Sequence, residues 1–299
     1  MLESEVITHF IFAVIQFLMG VLANGIIVVV NSIGLIKQKK MLPVDLLLCC
    51  LATSRICLQI IIFYIHLIVI SWIEFSRFVE NSTVFTFAHK LELWFATWLS
   101  VFYCAKIATI AHPLIFWLKL RISKLVPWLI FGSLLYTSLT SVFNSKQAWI
   151  FSQKFLLGLF FQNATTPINE ISVLQFAFFV IDKLLPFLIF LISSLLLIFS
   201  LGRHTRQMMS TATGTRNSRT TVHVTVLLSI LSFLVLYLTQ YTMSLLVLSQ
   251  TFKVRNFFFL FCILVLGSYP SVHSVILVLG NPKLKQNVKK FLLHSKCCQ

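Results

Sequence analysis

The chain has 299 residues, of which 58% are apolar, 14% aromatic and only 11% charged, with 30 Phe and a net charge of +16. A soluble domain carries about 25% charged residues, so this composition excludes an ordinary soluble globule and makes lipid the solvent for much of the surface. The basic excess does not indicate a nucleic-acid partner, because Lys and Arg flank apolar runs and form no basic domain of their own.

Glu3 and Glu5 precede the first apolar run, with no basic stretch and no small-residue cleavage site, so the first helix is expected to act as its own signal anchor. Seven runs meet the requirement of ~20 mainly apolar residues for a membrane helix. They cover 7–33, 44–70, 84–110, 125–143, 173–200, 222–249 and 257–280, and a short basic tail follows at 281–299. The fourth, with several Ser and Thr, is the weakest. Connections are short apart from 144–172 and 201–221, and there is no internal repeat or pair of broken helices. The expected fold is all-α: a single seven-transmembrane helix bundle.

The third run organises the rest. It carries Trp94, Trp98, Phe102 and Tyr103, then Lys106, and is followed by His112, Pro113, Trp117, Lys119 and Arg121. A chain that turns from apolar to basic within a few residues is leaving lipid on the cytoplasmic side. Counting Lys and Arg extends this. With the N-terminus outside, fifteen of the 24 fall in inner segments and six on the outer side, counting Lys90 at the outer end of the third run, while Arg55, Lys106 and Lys183 lie deeper within spans. That excess predicts an extracellular N-terminus and a cytoplasmic C-terminus. The sequons at Asn163 and Asn81 both fall outside in this topology, and Asn163, farther from lipid, is the better glycosylation site.

Cys49, Cys50, Cys57, Cys104 and Cys262 lie in apolar segments, so no extracellular disulfide is expected. Cys297 and Cys298 at the C-terminus are candidates for palmitoylation or for free thiols. No cysteine or histidine spacing suggests a metal site, and no cofactor is expected.

Ionisable groups inside a span are costly and commonly functional. Asn24, Arg55, His273 and Ser274 lie at similar depths on helices one, two and seven, Arg55 about 15 Å from the inner end of its helix at 1.5 Å per residue. They form a candidate polar network, either a packing device or a conformational switch. In the outer halves lie His89, Lys90 and Glu92 on helix three, Asp182 and Lys183 ahead of Pro186 on helix five, and Thr239, Gln240 and Tyr241 on helix six. Polar groups at one depth, walled by Phe and Leu, suggest a ligand cavity open to the outside. Local ion pairing or snorkelling is the plainer alternative, especially for Lys90 and Lys183. At the inner end Lys106 either snorkels or caps a crevice. Arg203, His204 and Arg206 with the Ser/Thr/Arg-rich linker form a basic face suited to the carboxylate-bearing tail of a G protein.

Further motifs carry a family resemblance. Asn24-Gly25 and Leu51-Ala52-Thr53-Ser54-Arg55 occur in helices one and two, and Phe102-Tyr103, Lys106-Ile107-Ala108, His112-Pro113, Leu118-Lys119 and Arg121-Ile122 in and after helix three. Pro186, Ser200-Leu201, His204-Thr205 and Met208 follow, then Ser232-Phe233-Leu234, Tyr237, His273-Ser274 and Leu279-Gly280-Asn281-Pro282-Lys283-Leu284-Lys285-Gln286. With these the chain resembles the type 2 taste receptors, the bitter-sensing G-protein-coupled receptors. The resemblance implies a plasma-membrane receptor for small-molecule bitter agonists, bound between helices three, five, six and seven. It places the pocket on Phe85, His89, Lys90, Asp182, Gln240, Tyr241 and Ile263, beside the Glu92 already noted. It also implies a gustducin-like heterotrimeric G protein engaging Tyr103, Lys106, Lys119, Arg121, His204 and Arg206, and a glycan on Asn163. Homo- or hetero-oligomers are compatible with it.

Two rivals are weaker. A transporter or channel would want repeats, broken helices at mid-membrane or a path of paired acids, and Asp182 is the one clear acid well inside a span. A membrane enzyme would want a nucleophile elbow, an H-E-x-x-H helix or a phosphate loop, and none occurs.

Overall fold

A computed structural model describes residues 2–38, 41–71, 75–108, 113–143, 173–211, 218–248, 256–281 and 283–287. Seven long helices account for nearly all of them: α1 (Leu2–Gln38), α2 (Pro43–Ser71), α3 (Phe75–Ile107), α4 (Pro113–Phe143), α5 (Val173–Thr211), α6 (Ser218–Leu248) and α7 (Phe257–Gly280). A short helical turn at 283–287 follows. Most helices overrun the expected apolar spans, because a backbone ladder continues into the interface as long as its hydrogen bonds are made. The overrun is greatest at α4. It starts at Pro113, twelve residues before the expected span, with proline where a helix has no use for the missing N–H.

Among the described residues, Ser4–Ile33, Pro43–Ile68, Ile115–Val142 and Phe257–Gly280 are long and apolar enough to cross a membrane, and Leu184–Ser200 and Leu228–Met243 are shorter apolar stretches. α4 is the least apolar of the four long spans. Its hydroxyls are satisfied within the helix: Ser133 Oγ donates to the Leu129 carbonyl, Thr137 Oγ1 to Ser133 and Ser138 Oγ to Leu134, at 2.7–2.8 Å. The least apolar helix is α3, and its position explains why. It packs along α2, α4 and α5, and every residue from Lys90 to Thr97 is buried, so protein rather than lipid solvates it.

α1 packs on α2 and α7, and α7 packs on α6, which touches α5, so the helices close into a ring around α3. Small residues bring backbones together at the α1–α7 seam. A Cβ on Gly20 would lie 2.5 Å from Ser271 Oγ and 2.9 Å from Gln59 Cδ, and one on Gly267 would collide with Gln16 and Ile62. Such close approach is a main source of helix association where the solvent is already apolar. Deeper in, Phe233 of α6 is the hub, with ring centroids 4.5 Å from Phe190, 5.6 Å from Tyr269 and 5.0 Å from His273.

Candidate ligand and coupling sites

Three of the four expected network residues meet. Arg55 Nη1 donates to Ser274 Oγ at 3.3 Å, and the Ser274 hydroxyl lies 2.8 Å from Asn24 Oδ1 and 2.7 Å from the Pro270 carbonyl, the two acceptors for its one hydrogen. Asn24 Nδ2 in turn donates to the Gly20 carbonyl at 2.8 Å. All three side chains are fully buried. His273 sits next to them in sequence but turns the other way, edge-on to Phe233.

The charge of Arg55 is balanced from α3. Its Nε lies 2.8 Å from Glu92 Oε1, and its guanidinium carbon is 5.9 Å from the Tyr269 ring centroid. Glu92 was expected in the outer cavity, yet its carboxylate points between α2 and α3 and completes the network. Sequence reasoning placed both residues at plausible depths but had no signal for their shared azimuth.

Toward the bundle face where α1 begins, Lys90 of α3 pairs with Asp182 of α5, both buried. Tyr136 of α4 donates its hydroxyl to Asp182 Oδ1 at 2.8 Å, and Lys90 Nζ also donates to Thr140 Oγ1 at 3.2 Å. The four side chains stitch α3, α4 and α5 together on one side of α3. On its other side, Gln240 Nε2 of α6 approaches His89 Nε2 at 3.0 Å; the amide donates, and the neutral ring then carries its proton on Nδ1. Phe85 lies one turn away, 6.0 Å ring to ring from His89. Gln240 Oε1 is buried with no partner among the described residues. Ile263 is half-buried on α7, and Tyr241 is 51% exposed on the outward side of α6, apart from His89.

One turn and more below this level lies a cavity that sequence reasoning missed. It is walled by Ala96, Leu99, Ser100 and Tyr103 of α3, Phe190 of α5, Ser229, Ile230 and Phe233 of α6, and His273 and Leu277 of α7. Thr97 and Ser100 hold α3 to α5 beside it. Thr97 Oγ1 lies 3.0 Å from the Pro186 carbonyl, and Ser100 Oγ is 2.9 Å from Ser193 Oγ and 3.1 Å from Ser194 Oγ. On the other side of the cavity the His273 ring of α7 is hydrogen-bonded to the Ser229 backbone of α6.

At the opposite face, where α3 and α7 end, Tyr103 is half-buried and packs edge-on against Phe102. Lys106 is exposed, with Nζ 3.4 Å from the Lys119 carbonyl. Arg121 is also exposed and lies over the Trp117 ring at 5.6 Å. His204 and Arg206 belong to the helical backbone of α5, with side chains outside the described set, and Asn81 stands likewise in α3. Asn163 lies outside the described residues, as do Cys297 and Cys298. Cys49, Cys50, Cys57, Cys104 and Cys262 are free thiols. Two ties went unforeseen. His9 Nε2 and His66 Nδ1 are 3.0 Å apart between α1 and α2. Lys283, after α7, donates to Asp45 Oδ2 at 2.7 Å and Asn31 Oδ1 at 3.2 Å. Asp45 in the first turn of α2, favoured there by the helix dipole, was the one readable hint of the second.

The helical ring with a central α3 matches the crystal structure of squid rhodopsin, with a TM-score of 0.57 over 98% of this chain and 87% of that one at 12% identity, which shows the seven-helix bundle fold. The fold class is thus a rhodopsin-like bundle of seven helices. The family model described as taste receptor protein (TAS2R) matches residues 1–296, and the chain belongs to that family. It is 58% identical over 299 residues to taste receptor type 2 member 1 of Chlorocebus aethiops, covering all of both chains. It is 48% identical to taste receptor type 2 member 119 of Rattus norvegicus (100% of this chain, 88% of that one) and 32% to member 40 of Gallus gallus (96% and 95%). Membership makes it a bitter taste receptor of the G-protein-coupled class, with small-molecule ligands and a G protein as its partners, and does not favour a transporter.

Proposed function

We propose that the receptor stands in the plasma membrane with its N-terminus outside, its C-terminus inside and a glycan on Asn163. Its bitter agonist is bound between α3, α5, α6 and α7 on the outer side. The observation that carries the pocket is the His89–Gln240 bond. It links α3 to α6, and it leaves a buried amide oxygen on Gln240 for a ligand donor to satisfy. Phe85 and Ile263 supply apolar wall. The Lys90–Asp182 pair closes the α4–α5 side, and Glu92 relays to Arg55 from behind the pocket. Tyr241, exposed on the far side of α6, stays outside the pocket.

An agonist that docks against the His89–Gln240 bond and donates to Gln240 Oε1 changes the separation of α3 and α6 above the cavity at Ser229 and Tyr103. Only a difference in affinity between two arrangements shifts their populations, and moving a balance from 1:99 to 99:1 needs ~5.5 kcal/mol. Few directional contacts in an apolar wall give broad selectivity and modest affinity. We assign docking of the tail of a gustducin-like G protein to the inner side, to Tyr103, Lys106 and Lys119 together with the basic sequence positions His204 and Arg206. Arg121 stacks on the outward side of α4, and we leave it out of that assignment.

Calcium responses to a bitter-compound panel, in cells carrying a chimeric G protein, test the reading. We expect several unrelated agonists and their loss on His89→Ala. A silent panel at normal surface expression, or a His89→Ala receptor with unchanged dose–response curves, overturns the pocket.

A further inference from the structure

The geometry points to an anionic-phospholipid site on the outward face of α4, at the end nearest Pro113. Ile122, Val126, Ile130, Ser133, Thr137 and Ser141 are buried and follow one stripe of this helix. Trp117, Arg121, Lys124 and Trp128, spaced by four, three and four residues, fall on the stripe directly opposite and are all exposed. They cover about 16 Å of helix at 1.5 Å per residue.

Positive charge near a membrane end serves topology in general, but three features here go further. The two cations are consecutive on one stripe and bracketed by two tryptophans, and α4 has no acidic residue to neutralise them. The Arg121 guanidinium lies over the Trp117 ring at 5.6 Å, which orients it on this exposed stripe. Trp128, 73% exposed, stands one turn deeper than Lys124, where an indole marks the boundary between headgroups and hydrocarbon. A lipid phosphate therefore fits between Arg121 and Lys124, with its acyl chains along Trp128 and Phe131. The committed occupant is a phospholipid with a net negative headgroup, since a zwitterionic one would bring its own cation to a site already holding two.

Native mass spectrometry of the full-length receptor, released from nanodiscs of mixed phosphatidylserine and phosphatidylcholine, tests this. A symmetric nanodisc makes the result independent of orientation in the cell. Two basic side chains at the leaflet give an expected preference for the anionic lipid of roughly thirty-fold at one site. The Arg121→Gln/Lys124→Gln receptor should lose that preference, while the charge-matched Arg203→Gln/Lys285→Gln receptor keeps it. Trp117→Leu should weaken it by a smaller factor. Equal retention of both lipids by the wild type, or equal losses in the two double variants, overturns the proposal. Size-exclusion profiles of each variant separate a lost site from a misfolded receptor.

Discussion

Arg55 Nε of α2 and Glu92 Oε1 of α3 lie 2.8 Å apart, both excluded from solvent. Each charge alone would be very costly at that depth, and together they form the one ionic link between the α1–α2–α7 group and central α3 among the described residues. Removing one partner leaves the other buried and unpaired, which costs about 3–5 kcal/mol. Glu92→Ala and Arg55→Ala should therefore each lower thermal stability sharply in detergent. The Arg55→Met/Glu92→Leu receptor should recover most of the loss. A double variant as unstable as either single one would show that the pair does not account for the cost.

The same reasoning applies to Lys90 and Asp182. Lys90→Ala alone strands a carboxylate, whereas Lys90→Ala/Asp182→Ala removes both charges. Surface expression, measured by flow cytometry, is expected to fall for the single change and to return for the double. Tyr136→Phe deletes a hydrogen bond to a charged acceptor and should cost about 1.5–3 kcal/mol.

His89 and Gln240 share one bond, so their effects on agonist potency should not add. His89→Phe and Gln240→Leu are each expected to shift the half-maximal concentration by about tenfold, from a net bond of roughly 1.4 kcal/mol. The double variant should shift little further. Additive shifts would mean that the two side chains meet the ligand separately.

Glycines divide by what surrounds them. Gly20→Ala and Gly267→Ala force a methyl into atoms of neighbouring helices, and overpacking of this kind costs typically 1–3 kcal/mol. Gly25→Ala, on the same helix as Gly20 with open space around it, should be neutral or slightly stabilising. Melting temperatures of the three purified receptors decide the matter.

Topology has a direct test. A tag after Gln299 should be stained only in permeabilised cells, and Asn163→Gln should remove a glycosidase-sensitive mobility shift. Staining of intact cells at Gln299 would reverse the proposed orientation.

Much of the site was legible as depth along each helix. Asn24, Arg55 and Ser274 could be set at one level by counting residues, and the structure brings them into hydrogen-bonding contact. Direction around each helix was less readable. Glu92 seemed to belong with His89 and Lys90 because it is two and three residues away, yet each step turns the helix by about 100°. The three side chains consequently face α6, the α4–α5 side and α2. Arg121 likewise read as part of the inner docking face until the buried stripe of α4 showed which way it points.

Composition and local pattern alone determined that the chain lives in lipid, that it is helical, where its apolar runs lie and which family it resembles. Those properties depend on the solvent and on residues close in sequence. The pairing of Arg55 with Glu92, of Lys90 with Asp182 and of His89 with Gln240 was decided only in the folded bundle. Such pairings depend on how whole helices rotate to bury their small and polar faces against neighbours distant in the chain, and no stretch of sequence carries that rotation by itself.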